Sequence, residues 1–157
     1  MEALSFRKAN ANDSEFVFAV KEAAFREYIE QVWGWDDGYQ QERHNTEFAS
    51  HDPHIIIQFH GSDVGFLVTS DTPDTLNVNQ IFILPEYQGR GIGSACLTRL
   101  IDDASLEQKS VTLQVLKVNT RGIALYQRLG FTIVGEDSIY FQMERLPELS
   151  VLDKIRT

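Results

Sequence analysis

The chain has 157 residues, a single cysteine, and 14 basic against 23 acidic side chains, for a formal charge of −9. That length suffices for one domain burying roughly 70% of its unfolded surface without a metal or disulfide staple, and a lone Cys96 excludes an internal disulfide. The charge opposes long-range attraction to nucleic acid, no run reaches the roughly 18 apolar residues of a membrane span, and the opening MEALSFRKAN has no apolar signal region, so the expectation is a soluble cytoplasmic protein with neither nucleic acid nor membrane as partner.

Residues 4–9 read as a strand. Asn12, Asp13 and Ser14 then offer caps for a helix on which Phe16, Val17, Val20 and Ala24 share one face. Residues 28–48 read as helical with an interruption at Trp33, Gly34 and Trp35, after which Asp36 or Asp37 can cap a second piece. Strand candidates follow at 55–60, 64–70 and 76–84, and the short turns at 61–63 and 71–74 imply antiparallel hairpins. Beyond the loop LPEYQGRGIG, the residues Ile92, Ala95, Cys96, Leu97, Leu100, Ile101 and Ala104 form the apolar stripe of a helix, which makes Cys96 a core residue. A strand at 111–118, a short helix at 120–129 stopped by Gly130, and strands at 131–134 and 138–143 complete a mixed α/β domain with an antiparallel half and a crossover half. Residues 147–157 form a tail, whose sequence leaves open disorder or a contact in a homodimer.

Gly89, Gly91 and Gly93 stand at every second position between a strand and a helix. Without Cβ atoms, several backbone N–H groups can line one concavity, and the opening turn of the helix adds unpaired N–H groups and a favourable dipole. A phosphate is the guest such a loop suits. A P-loop requires Lys after its last glycine, where this chain has Ser94. A dinucleotide fingerprint would put its third glycine at Ser94 and an acid at the end of the next strand, where Lys117 stands.

Gln88, Gly91 and Gly93 match Q/R-x-x-G-x-G/A, and the sequence resembles the GNAT superfamily of acetyl-CoA-dependent N-acetyltransferases. NQIFILPEYQGRGIG is similar to that family's fourth strand and pyrophosphate loop. LQVLKVNTRGIALYQRLGF is similar to its fifth strand, fourth helix and following strand, with Asn119, Ala124, Tyr126, Gly130 and Phe131 at the family's spacing. The resemblance implies an α/β (α+β) fold in a single GNAT-like domain over residues 1–146, with a mixed, mostly antiparallel sheet of about seven strands, about four flanking helices, and splayed fourth and fifth strands.

It further implies acetyl-CoA as donor cosubstrate, no metal, and direct attack of a primary amine on the thioester in a ternary complex. The backbone from Gly89 and Arg90 through Gly91, Ile92 and Gly93 to Ser94 would cradle the pyrophosphate, helped by the side chain of Gln88 or Arg90. The pantetheine arm would pair with the backbone of Ile81, Phe82 and Ile83, an addition to a strand edge. Asn119 would hold the pantetheine, cap the helix, or both. Tyr126 would protonate the departing thiolate, or else simply pack beside Leu129. A noncatalytic acyl-CoA-binding module would keep the loop and dispense with Tyr126.

In the family the N-terminal helices form the acceptor wall. Here they read REYIEQVWGWDDGYQ, where Tyr28, Trp33, Trp35 and Tyr39 alternate with Glu27, Glu30, Asp36 and Asp37. This stretch suits a cationic amine, or equally an amphipathic helix with solvated acids. The sequence does not separate a small amine, a polyamine or aminoglycoside, and a protein N-terminus as acceptor. A general base stays unassigned: Asn77, Asn79 and Gln80 on the fourth strand cannot take a proton, which leaves ordered water or a carboxylate such as Glu27, Glu30 or Asp36. His44, His51, His54 and His60 show no metal-binding spacing.

Overall fold

The apolar spacing that begins at Phe16 and Val17 continues through Ile29, and the chain folds over it as helix α1 (Ser14–Val32) with Val17, Val20 and Ile29 buried. The structure, a computed structural model, describes residues 3–50 and 52–148. Around α1 come β1 (Leu4–Lys8), α2 (Asp37–Phe48), β2 (His54–Phe59), β3 (Ser62–Asp71), β4 (Thr75–Ile83), α3 (Ile92–Leu106), β5 (Ser110–Leu116), α4 (Thr120–Arg128), β6 (Thr132–Glu136) and β7 (Tyr140–Arg145). The seven strands run in the order β1-β2-β3-β4-β5-β7-β6. β4 and β5 are parallel, whereas β1–β2, β2–β3, β5–β7 and β6–β7 are antiparallel. This is the expected mixed, mostly antiparallel sheet of seven strands with four helices. The parallel register covers Thr75 to Val78 on β4, which continues to Ile83.

The start of α1 differs in detail from the sequence reading. Asn10 caps a short 3-10 turn at Ala11–Asp13, accepting from the Asn12 N–H at 2.9 Å, and Asp13 accepts in return from the Asn10 N–H at 2.8 Å. Asp13 gives α1 no side-chain cap because the Arg7 guanidinium grips its carboxylate at 2.8 and 2.9 Å and also reaches Asp63 at 2.9 Å. The break between α1 and α2 follows expectation: Gly34 takes φ +80°, and Asp36 caps α2 by accepting from the Tyr39 N–H at 2.8 Å.

The described residues form two compact units. The first holds the chain up to Thr69 together with Asn79–Ala95. Its core packs Val17, Val20, Ile56, Phe66 and Val68 against Phe16, Phe48, Phe82 and Leu84. Two imidazoles are set among its rings. His44 lies 5.4 Å from Phe18 and 5.5 Å from Phe48, while His54 lies 5.0 Å from Phe48 and 5.7 Å from Phe66. The second unit holds Ser70–Val78 and the residues from Cys96 onward, with Leu97, Ile101, Val111, Leu113 and Met143 buried. Its α4 ends at Gly130, φ +93°, and Arg145 Nε donates to the Leu129 carbonyl at 3.1 Å.

The buried imidazoles give this fold a predictable acid response. Burial pushes His44 and His54 below the ordinary imidazole value, with the Lys21 charge adding to the effect at His44 and the His44 charge at His54; Glu47 opposes at both, Ser14 at His44 and Asp52 at His54. On acidification the unfolded chain therefore takes up protons first, near the ordinary value of about 6.5, and stability declines as pH falls below it. Above that value the contribution is complete. The urea midpoint should be flat above about pH 6.5 and drop toward pH 5, with a shallower drop when His44→Gln and His54→Phe are combined. An unchanged slope in that double variant would assign the acid sensitivity to other groups.

Candidate functional site

β4 leads through a short 3-10 turn at Pro85–Tyr87 into the glycine loop. Gly89 and Gly91 take φ of +75° and +81°, a region glycine enters without a Cβ penalty. The Ala95 N–H donates to the Gly91 carbonyl at 3.0 Å. Among the described residues, the amides of Arg90 through Ser94 donate to no backbone carbonyl, as the first turn of a helix requires. They form a row of donors at the positive end of α3.

Gly93 differs from its two neighbours. Its φ is not positive, and a Cβ built on it meets no atom beyond its chain neighbours and its own helical turn within 4 Å. Gly93 is the second residue of α3, and nothing within the described chain requires a glycine there. The space beside the missing Cβ is open.

The side chains beside the loop divide in role. Gln88 Nε2 donates to the Ile83 carbonyl at 2.9 Å, tying the loop back to the end of β4. Arg90 lies exposed, its guanidinium 5.4 Å from the Tyr87 ring centre and in no ion pair among the described residues, which leaves its charge available to an anion. Ile81, Phe82 and Ile83 are half-buried on the part of β4 beyond its register with β5.

In the second unit, Asn119 is the cap of α4 and accepts from the Gly122 N–H at 2.9 Å through Oδ1. The cap role is thus met, and Nδ2 is left as a donor. Tyr126 sits on α4 half-buried, its ring edge-to-face with Phe131 at 5.9 Å. Burial pushes its phenol up to about 12, so the hydroxyl is protonated at neutral pH. Among the described residues that hydroxyl makes no hydrogen bond. The thiol of the buried Cys96 is likewise pushed up to about 12 by burial, which leaves it unreactive.

The aromatic and acidic stretch is largely satisfied within the chain. Arg26 lies 5.3 Å from the Trp35 ring centre, between Glu22 at 3.0 Å and Glu30 at 2.7 Å. Trp35 Nε1 donates to Asp37 at 2.7 Å, Asp36 caps α2, and Tyr28 packs on Phe25 at 6.0 Å. Trp33 and Tyr39 are the exposed rings of this stretch, at 55% and 57%. Glu27 is exposed.

One carboxylate near β4 escaped the sequence reading. Glu47 of α2 accepts from Gln80 of β4 at 2.9 Å, from Arg43 at 2.9 Å and from Lys21 at 3.3 Å. Burial works to raise its carboxyl, but Arg43, Lys21 and Gln80 outweigh burial and hold it below the usual range. Glu47 is therefore a weak base that neutralises the buried Lys21. Only its spacing with Arg43, four residues apart, was visible in the sequence. Among the described residues no cluster of three or more His, Cys, Asp or Glu side chains could hold a metal, and His51 lies outside them. No described helix is long and apolar enough to cross a membrane.

Comparison with known proteins agrees with this arrangement. The Acetyltransferase (GNAT) family matches residues 17–131. The N-alpha-acetyltransferase RimI of Mycobacterium tuberculosis is 33% identical over 118 residues, which cover 72% of this chain and 73% of that protein. The ribosomal protein bS18-alanine N-acetyltransferase of Escherichia coli is 35% identical over 91 residues, covering 54% of this chain and 60% of that protein. In fold, the chain matches the PaiA N-acetyltransferase of Thermoplasma acidophilum, solved in complex with coenzyme A, with a TM-score of 0.75 at 16% identity over 91% of this chain and 98% of that one. A family match running from α1 past the glycine loop and Tyr126 to Phe131 places this chain in the GNAT family of acetyltransferases.

Proposed function

We propose that the chain transfers the acetyl group of acetyl-CoA to a primary amine while both substrates are bound. The observation that supports this most directly is Gly93, a helical glycine with no atom beyond its chain neighbours and its own helical turn within 4 Å of the missing Cβ, next to a row of amides without backbone acceptors. A bulky anion can use both: the open space at Gly93, and the amides that the first turn of a helix leaves without backbone acceptors.

Acetyl-CoA supplies an activated thioester. In this reading the amides from Gly89 to Ser94 and the Arg90 charge bind its pyrophosphate, and the backbone of Ile81, Phe82 and Ile83 pairs with the pantetheine arm. Asn119 offers Nδ2 to the same arm. The Tyr126 hydroxyl, protonated and uncommitted, gives its proton to the departing sulfur. The attacking amine loses its proton to ordered water or to a carboxylate such as Glu27, Glu30 or Asp36; Glu47 is not assigned, because Arg43, Lys21 and Gln80 hold it below the usual carboxylate range. On the acceptor side stand Tyr28, Trp33, Trp35 and Asp36, where an incoming cation has to compete with Arg26 for the Trp35 ring. The names of the relatives support an α-amine as acceptor: one is an N-alpha-acetyltransferase and the other acts on an alanine of bS18.

The test is release of free coenzyme A from acetyl-CoA in the presence of a panel of amines. Peptides with N-terminal alanine, polyamines and small cationic amines should be included. We expect turnover that depends on at least one amine. Binding of acetyl-CoA without turnover on any amine would instead support a noncatalytic module, and absence of binding would reject the loop assignment.

A further inference from the structure

We infer that Gly65 of β3 is a positioning residue for the cosubstrate: by lacking a Cβ it lets the backbone of β4 fold over the face of β3 at Phe82 and Ile83, and this fixes the strand edge that the pantetheine arm pairs with. The inference rests on the acetyl-CoA reading above. It concerns a residue outside the glycine motif and on a different strand.

Gly65 lies buried in the middle of β3, where glycine weakens a strand, and its φ is not in the left-handed region. Conformation therefore does not explain it. Space does. A Cβ at this position would lie 2.2 Å from the Phe82 carbonyl oxygen and 3.1 Å from the Ile83 Cα, both backbone atoms, and 3.0 Å from the Ile83 Cδ1. A Cβ points out of the plane of its sheet. An oxygen in that direction means that the Phe82 peptide rides above the face of β3 instead of lying in the plane of the ladder.

Two neighbouring contacts fix the bend. The Leu84 N–H donates to the Val64 carbonyl at 2.9 Å, and Gln88 Nε2 donates to the Ile83 carbonyl at 2.9 Å. On its other side β3 pairs with β2 through a register shift in which Ile57 faces Gly65 and Gln58 faces Asp63, so Val64 is the extra residue of a bulge. The bulge turns the Val64 carbonyl to the end of β4, the absent Cβ admits Phe82, and Gln88 ties the result to the glycine loop. A methyl group at Gly65 cannot be met by a rotamer change, because the obstructing atoms are backbone. β4 must shift at the residues assigned to the pantetheine.

The test compares two probes on the full chain: acetyl-CoA, and 3′-phospho-ADP, which is the nucleotide end of coenzyme A without pantetheine. Gly65→Ala should weaken acetyl-CoA by about tenfold or more, the order expected when one or two hydrogen bonds are lost. Its affinity for 3′-phospho-ADP should stay within about twofold of wild type, because the loop amides are untouched. A merely destabilising substitution lowers the melting temperature without separating the two affinities. Gly65→Ala matching wild type on both probes, or weakening both alike, overturns this inference alone. Wild type that binds neither probe overturns the acetyl-CoA reading, and this inference falls with it. Should Gly65→Ala fail to fold, amide hydrogen exchange on wild type decides the same question. Acetyl-CoA, and not 3′-phospho-ADP, should slow exchange of the Leu84 N–H that closes on Val64, and equal protection by the two probes overturns the coupling.

Discussion

Gly93→Glu should leave the protein at least as stable as wild type and yet abolish its stabilisation by acetyl-CoA. The first half follows from the open space around the missing Cβ, which no atom beyond its chain neighbours and its own helical turn approaches within 4 Å. A side chain at the second residue of α3, where φ is not positive, meets no strain, and a carboxylate in that first turn interacts favourably with the helix dipole by about 0.3–1 kcal/mol. The second half follows from charge and bulk, since a carboxylate then occupies the cradle beside the amides of Arg90 to Ser94. At a hundredfold excess over its dissociation constant a ligand stabilises by about 2.7 kcal/mol, which for a domain of this size is a melting shift of roughly 5–10 °C. Wild type should show that shift and the variant none. Because the two effects have opposite signs, misfolding cannot imitate the result. A variant that responds to acetyl-CoA as wild type does would remove the pyrophosphate from this loop.

How much of this could be read in advance depended on how local each feature is. α3 begins at Ile92 as its apolar stripe predicts, and α2 starts after its Asp36 cap, because a periodic face and a cap are written within one turn of the residues that need them. The turn from β4 into α3 was equally legible, since closely spaced glycines mark a backbone that L side chains rarely adopt, and Gly89 and Gly91 take φ of +75° and +81°. Spacing singles out Tyr126, but the burial that raises its phenol belongs to the folded unit.

Features made by partners distant in sequence stayed hidden. Asp13 reads as a helix cap until Arg7 claims it, and Trp35 reads as an open ring until Arg26 lies over it. Nothing in the residues around Glu47 reveals that Lys21 and Gln80 converge on it. Gly65 gave a local hint, a lone glycine among β-formers, which is the usual sign of a close backbone approach. What approaches it, the Phe82 carbonyl, only the packing of β4 could show.

Tyr126→Phe should lower kcat by about 10²–10⁴, the range a general acid contributes, while leaving the KM for acetyl-CoA within about twofold of wild type. The substitution keeps the ring, and with it the edge-to-face contact to Phe131 at 5.9 Å, so α4 and the Asn119 cap retain their packing. What it removes is one O–H. That hydroxyl has no hydrogen-bond partner among the described residues, so its loss orphans no buried group and the melting temperature should barely move. Burial favours the neutral phenol and holds it protonated up to about 12, so it is loaded as a donor over the whole neutral range, and wild-type kcat should show no fall assignable to Tyr126 until the pH approaches that value. A purely packing tyrosine makes the contrary forecast: turnover unchanged, because phenylalanine fills the same space. The measurement is kcat and KM for acetyl-CoA on wild type and variant with whichever amine the acceptor panel identifies, alongside both melting temperatures. Full turnover in Tyr126→Phe would assign the thiolate's proton to water and reduce Tyr126 to a core aromatic; a lost kcat with intact KM and stability would fix it as the proton donor.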